Sequence, residues 1–147
     1  FITYDEINKN IVQFVSLEYL LENSDIVSLH ARMSRKTILL GKEEFKIMKN
    51  TAYFINTARS YMVDYYALAD ALKSGEIMGA AIDVFDREPV DPDNPLVGID
   101  NCTLTNHRGG DTINSYSDSP AMMLNACKKF LDGDIPQFWI NPTIKRE

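Results

Sequence analysis

The chain of 147 residues is poor in cysteine, in positive charge and in long apolar runs, and each shortage argues against a class of protein. Cys102 and Cys127 are the two cysteines and form no C-x-x-C pair, so a disulfide framework or a cysteine zinc site is not expected. Basic side chains number 15 against 21 acidic ones, a net charge of −6, whereas sequence-independent binding of nucleic acid needs a basic face. No apolar run approaches the roughly 20 residues that span a bilayer.

These shortages together predict a protein of the reducing cytoplasm, with no nucleic-acid or membrane partner. No basic-then-apolar leader is visible, which fits the same expectation. No H-x-x-E motif, D-x-D loop or cysteine cluster indicates a metal site, so none is predicted. The apolar share of 45% is ordinary for a globular core. The apolar start, Phe1 and Ile2, is typical of a strand, and a strand at the first residue leads us to expect a fragment of a longer protein.

Short apolar runs alternate with helical patterns along the chain. The pattern predicts strands at 1–4, 25–29, 52–55, 79–85 and 102–105, and helices from Ser16 and over 41–48, 64–74 and 112–131. Such alternation favours an α/β fold in which a parallel sheet carries helices on both faces. Ligand sites of parallel sheets lie beyond the carboxyl ends of the strands, so the polar residues that follow each strand are the candidates for a site.

Three of these residues could bind a ligand or take part in catalysis. Arg59 could hold a carboxylate through two parallel hydrogen bonds, or it could lie in a structural ion pair or in solvent. His107 could transfer a proton, or it could be an exposed imidazole without a role. Glu88 could orient His107 and favour its charged form, or it could be a solvated loop acid before Pro89.

Two further polar residues at the strand ends have weaker indications. Asp5 could bind a ribose diol and repel a 2′-phosphate, or it could act as a turn or cap residue. His30 is more typical of packing at a strand end than of chemistry.

The sequence resembles a known family, the D-isomer-specific 2-hydroxyacid dehydrogenases. The resemblance rests on five blocks in order: VSLEYLL at 15–21, SDIVSLH at 24–30, INTAR at 55–59, AAIDVFDREP at 80–89 and LTNH at 104–107. It implies a Rossmann-like NAD-binding domain that is truncated at its first βα unit. It also implies a division into an incomplete NAD-binding domain at 1–134 and a tail at 135–147 that would return to a missing substrate domain.

The resemblance also assigns functions to residues. Arg59, Glu88 and His107 would be catalytic, and a hydride would pass between NAD(H) and a 2-keto or D-2-hydroxy acid. A homodimer would be consistent with the family. The residues expected to bind the cofactor are Asp5, His30, Ala31, Thr57, Ala58, Asp83, Gly109 and Gly110.

Several positions depart from the family pattern. Arg32 and Asn106 each replace a usual proline, and the cation Arg108 follows His107 where small apolar residues are common. None of the seven glycines forms the G-x-G of the family's pyrophosphate turn. We therefore expect the isolated chain to hold NAD poorly and to be nearly inactive.

Two other functions are compatible with parts of the sequence. One is a dinucleotide-sensing binding module of the corepressor type, related to the C-terminal-binding proteins and without significant turnover. The other is a self-contained α/β signalling or flavin-binding domain, which the apolar first residue and the family blocks oppose. The identity of the 2-keto acid is not predicted, since the substrate domain would supply much of the pocket.

Overall fold

The computed structural model describes residues 12–32 and 37–136. It divides into two compact units, Phe1–His107 and Arg108–Glu147. The strand predicted at 1–4 and Asp5 lie outside the described residues, as does the tail beyond residue 136.

The first unit is built on a sheet of four parallel strands. The strands are β1 (Ile26–Leu29), β2 (Tyr53–Asn56), β3 (Gly79–Ile82) and β4 (Cys102–Leu104), and they lie in the order β1-β2-β3-β4. Their register pairs Leu29 with Asn56, Asn56 with Ile82, and Ile82 with Leu104. The carboxyl ends of all four strands therefore meet in one row, as a parallel sheet requires.

The described residues of the first unit form three α-helices, of which the first precedes β1, the second joins β1 to β2 and the third joins β2 to β3. They are α1 (Leu17–Asn23), α2 (Lys42–Ile47) and α3 (Tyr65–Ser74). Ser16 and Asp64 cap α1 and α3 by accepting hydrogen bonds from backbone N–H groups of the first turn. Gly75 ends α3 in the left-handed conformation, with φ of 75°, where a side chain would be strained.

The helices pack on one face of the sheet. Side chains that alternate along the strands, such as Val27 and Phe54, are buried against them, and the ring of Phe54 meets that of Phe45 edge to face at 5.5 Å. The opposite face of the sheet is more exposed, because the side chains of Ile26 and Tyr53 on that face are 63% and 50% exposed. The core of the first unit therefore lies between the sheet and α1–α3.

Strand β3 is shorter than the predicted run at 79–85. It ends at Ile82, and although the N–H of Asp83 still donates to the carbonyl of Asn56 in β2 at 3.0 Å, the backbone groups of Val84 and Phe85 bond outside the sheet. The carbonyl of Val84 accepts a hydrogen bond of 2.6 Å from the Tyr65 hydroxyl, and the N–H of Phe85 donates to a carboxylate oxygen of Glu88 at 3.1 Å. Val84 and Phe85 are buried although they lie outside the sheet, which is why the apolar run resembled a longer strand.

The described part of the second unit is mainly one helix, α4 (Ile113–Leu131), which confirms the helix predicted at 112–131. Thr112 and Ser115 form its capping box. Within the described ranges, no helix is long and apolar enough to cross a membrane.

Candidate active site

The first residues beyond the four strands form the base of the candidate site. His30, Thr57, Asp83 and Thr105 directly follow the paired strand ends, so neighbours in this row lie about one strand spacing apart, about 4.8 Å. The Thr105 hydroxyl donates a hydrogen bond of 2.6 Å to the buried carboxylate of Asp83. Thr105 was not among the predicted site residues, although it lies two residues before His107.

The turn that carries Arg59 is held by a buried asparagine. Asn56 has no exposed surface, and its side-chain carbonyl accepts from the N–H of Ala58 at 3.0 Å. Its amide nitrogen donates to the carbonyl of Arg59 at 3.1 Å and contacts the hydroxyl of Tyr65 at 3.3 Å. Burial raises the pKa of Tyr65 above its ordinary range, so the hydroxyl stays neutral and can donate to Val84. The backbone of Arg59 is thus fixed from the protein interior.

Replacing Asn56 with leucine should destabilise the chain by about 2 kcal/mol or more, because several buried polar groups lose their partners. The measurement is the free energy of unfolding in urea. Asn23→Ala is the matched control, since Asn23 is exposed and bonds only the carbonyl of Tyr19 at the end of α1. Its effect should stay within about 0.5 kcal/mol. Equal effects of the two substitutions would contradict a central role for Asn56.

The guanidinium of Arg59 lies in a polar depression at the same edge of the sheet. One of its nitrogens, Nη1, donates to the carbonyl of Ala58 at 2.6 Å, which leaves most of its five N–H groups available. The depression has a volume of about 630 Å³ and is lined by residues 30–32, 57–59 and Tyr61. The depression of Arg59 is therefore also lined by four of the predicted cofactor residues: His30, Ala31, Thr57 and Ala58.

His107 and Glu88 form a direct pair. The Nδ1 atom of His107 lies 3.0 and 2.9 Å from the two carboxylate oxygens of Glu88, and one of these oxygens also accepts from the N–H of Phe85. The hydrogen bond to His107, followed by that to Phe85, lowers the pKa of Glu88 below its ordinary value. Glu88 is therefore a carboxylate near neutral pH, and with Nδ1 as the donor to it, Nε2 is the ring nitrogen outside this contact.

His107 has an unusual backbone conformation. Its φ is 51°, in the left-handed region that residues other than glycine seldom adopt. Such a conformation persists where the surroundings hold it, and it is common at functional sites. Together with the bidentate contact to Glu88, it gives the imidazole a defined orientation.

A further hydrogen bond ties the Arg59 and Glu88 segments together. The hydroxyl of Ser60, the residue after Arg59, donates to Asp86 at 2.7 Å, and Asp86 lies two residues before Glu88. In the described residues no hydrogen bond links Arg59 itself to the pair of Glu88 and His107, although all three follow strands whose carboxyl ends meet at one edge of the sheet.

Comparison with known proteins identifies the family. The model of the NAD-binding domain of the D-isomer specific 2-hydroxyacid dehydrogenases matches residues 2–109. The chain belongs to this family. Its resemblance blocks, its Rossmann-like parallel sheet and NAD as its cofactor are thereby confirmed.

The relatives are dehydrogenases and reductases. A glyoxylate reductase of Korarchaeum cryptofilum is 40% identical over 134 residues, which cover 90% of this chain and 40% of that protein. Among solved structures, a D-isomer specific 2-hydroxyacid dehydrogenase of Lactobacillus delbrueckii ssp. bulgaricus in its NAD complex gives a TM-score of 0.80 at 27% identity, covering 90% of this chain and 44% of that one. A D-lactate dehydrogenase of Lactobacillus jensenii with NAD+ gives 0.78 at 29% identity, covering 90% and 43%. The chain spans about 40% of the length of the curated relatives it matches.

The described residues of this dehydrogenase domain offer a suitable donor set for the negatively charged dinucleotide. The depression that contains Arg59 also contains Arg32 and the hydroxyl of Thr57, and no carboxylate lines it. This charge pattern is favourable for a phosphate-bearing ligand, even though the chain as a whole carries −6.

Four predicted cofactor residues remain, and one of them, Asp83, directly follows β3 and does not line this depression. Asp5 lies outside the described residues. Gly109 and Gly110 belong to the second unit, where the carbonyl of Gly110 accepts a hydrogen bond of 2.9 Å from Ser115 near the start of α4. In the same segment Arg108 forms an ion pair with Asp111 at 3.0 Å, so part of its charge is balanced locally.

Proposed function

We propose that this chain is the NAD-binding half of an enzyme that transfers a hydride between the nicotinamide of NAD(H) and a D-2-hydroxy acid or 2-keto acid. In the complete enzyme this domain would be joined to a substrate domain. The observation that carries the proposal is the bidentate contact of His107 with Glu88, on the same sheet edge as the polar depression of Arg59. This arrangement provides a cation for a carboxylate and a proton donor for the reacting oxygen.

Arg59 would bind the substrate. Its guanidinium can form two parallel hydrogen bonds to the carboxylate and polarise the neighbouring keto group, because most of its donors are unused. The bonds of Asn56 to Ala58 and Arg59 would keep this group in place before the substrate arrives. Such preorganisation reduces the entropy lost on binding.

His107 would transfer the proton. In the reducing direction it would donate a proton to the keto oxygen, and in the oxidising direction it would remove the proton from the hydroxyl. Glu88 would hold Nδ1 in its protonated form and stabilise the positive charge that the imidazole carries before donation. The fixed backbone conformation of His107 would limit the directions in which the ring can point.

The cofactor would supply the hydride, since no protein side chain carries one. Thr57, Ala58 and Asp83 would contact its nicotinamide side, and His30 and Ala31 would lie further along the same edge of the sheet. Asp5 would bind the adenosine ribose and so favour NAD over NADP. Gly109 and Gly110 complete the proposed cofactor set.

We also propose a homodimer and a cytoplasmic location for the complete enzyme. The exposed apolar side chains on the open face of the sheet, Ile26 and Tyr53, are consistent with self-association.

A direct assay tests the proposed function. Purified as 147 residues, the chain is expected to show almost no oxidation of NADH with glyoxylate or hydroxypyruvate, because these residues contain no G-x-G turn for the pyrophosphate and span about 40% of the length of the relatives. The complete enzyme should turn over at least one 2-keto acid from a panel. A complete enzyme that binds NADH but reduces none of them would contradict the proposal and favour a binding module.

A further inference from the structure

A hydrogen bond between Ser60 and Asp86 joins the loops that carry Arg59 and Glu88. The Oγ atom of Ser60 donates to the carboxylate of Asp86 at 2.7 Å, although the two residues lie 26 positions apart in the chain. Ser60 is buried, with 8% of its surface exposed, and Asp86 is exposed. A hydrogen bond to a charged carboxylate is roughly twice as strong as one between neutral groups, so this bond can hold the two loops together.

The serine end of this bond is anchored in the core. Ser60 begins a single 3₁₀ turn, Ser60–Met62, and its carbonyl accepts from the N–H of Val63 at 2.9 Å. The carbonyl of Met62, a fully buried residue, accepts from the N–H of Leu40 at 3.1 Å. These bonds fix the backbone directly after Arg59, so Ser60 presents its hydroxyl from a fixed position.

The aspartate end of the bond lies in a more exposed loop. Residues 86–88 follow the buried end of the β3 run, and all three of them are exposed. The carboxylate of Glu88 accepts from the N–H of Phe85 and contacts the imidazole of His107, and neither partner belongs to the loop of Arg59. The bond to Ser60 is the contact that relates this exposed loop to the loop of Arg59.

A second link between the two strand ends lies deeper in the core. The hydroxyl of Tyr65 donates to the carbonyl of Val84 at 2.6 Å and contacts the amide of Asn56 at 3.3 Å. This link fixes the buried backbone four residues before Glu88. The bond of Asp86 acts two residues closer to Glu88, so it controls how far the exposed loop stands from the turn after β2.

A 2-keto acid imposes a fixed geometry on the groups that bind it. Its carboxylate and its keto oxygen are on adjacent carbons, so the guanidinium of Arg59 and the imidazole of His107 must keep one separation to act on the same molecule. A displacement of about 1 Å can reduce the rate about 10²-fold. Resting on the roles proposed above for these two residues, we propose that Ser60 and Asp86 are positioning residues that set this separation.

Loss of the bond should change kcat more than KM. Asn56 still fixes the backbone of Arg59, so the substrate carboxylate is bound nearly as well, whereas the imidazole is no longer aligned with the keto oxygen. Ser60→Ala removes the donor and Asp86→Ala removes the acceptor, and each should lower kcat of the complete enzyme about 10–10²-fold. The double variant should be no slower than the slower single variant, because both substitutions remove the same bond. Asp86→Asn keeps an oxygen that can accept from Ser60, so it should recover most of the loss.

A measurement without turnover tests the positioning itself. In the 147-residue chain, NMR relaxation gives the order parameters of the backbone amides of residues 86–88 and His107. In Ser60→Ala and in Asp86→Ala these should fall from about 0.85, the value of rigid backbone, toward 0.6, and the amide shifts should change at the same residues. The matched control is Ser74→Ala, whose hydroxyl donates to the carbonyl of Ala71 at the end of α3, and it should change neither kcat nor these order parameters.

Two results would overturn the proposal. One is a Ser60→Ala chain whose order parameters and amide shifts at residues 86–88 and His107 equal those of the unsubstituted chain. The other is a Ser60→Ala enzyme with the kcat of the Ser74→Ala control, or with a loss that appears in KM alone. The proposed function fails separately, if the unsubstituted complete enzyme reduces no 2-keto acid. The order parameters then still decide whether Ser60 positions the loop of Glu88.

Discussion

Replacement of His107 by asparagine should lower kcat for 2-keto acid reduction by the complete enzyme about 10²–10⁴-fold, the usual contribution of a positioned acid or base. Asparagine tolerates the left-handed backbone that gives His107 its φ of 51°, so the substitution removes the imidazole with little change in the chain path. Steady-state rates with NADH and the best substrate of the panel measure the effect. The KM should change far less than kcat, because the proton moves only as the reaction proceeds.

Substitution of Glu88 provides the graded comparison. Glu88→Gln keeps the size of the side chain but removes the charge opposite Nδ1, so kcat should fall by less than in the His107 variant. Asp25→Asn is the matched control, because it also neutralises a carboxylate but breaks only a surface pair with Lys49 at the other end of β1. A His107 variant with normal kcat, or an Asp25 variant as impaired as that of Glu88, would rule out the proposed proton transfer.

The regular elements could be predicted because their signals are local. Helix α3, predicted at 64–74, begins after the cap residue Asp64 and ends at Gly75, and both residue types are typical of helix ends. Strand β2 could be recognised from a continuous run of β-forming residues. The end of β3 could not be found in this way, because the groups that replace the sheet partners of Val84 and Phe85 come from Tyr65 and Glu88.

The part of the candidate site that could be predicted is the part whose position depends only on the order and direction of the strands. Parallel strands bring their carboxyl ends to one edge, so the residues after β2 and β4 could be placed together without coordinates. The hydrogen-bond network of Asn56 and Tyr65 could not be predicted, because Tyr65 begins a helix and its partner Val84 lies 19 residues further along the chain. A polar asparagine at the end of an otherwise apolar strand was the available signal. The left-handed conformation of His107 has no such signal in the sequence.

Replacement of Arg59 by glutamine should reduce kcat/KM of the complete enzyme about 10²–10⁴-fold, because two charge-assisted hydrogen bonds to the substrate carboxylate, each contributing about 1.5–3 kcal/mol, would be lost. Since the carboxylate is bound both before and during the reaction, most of the loss should appear in KM, in contrast to the His107 variant. Arg59→Lys keeps the charge but not the paired donors, so its effect should be intermediate. The control is Arg87→Gln, which removes the same charge from the pair with Asp91 and should alter kcat/KM less than about twofold. Equal KM values in the Arg59 and Arg87 variants would show that the carboxylate is held elsewhere, and the depression at the carboxyl edge of β1 and β2 would then lose its role in substrate binding.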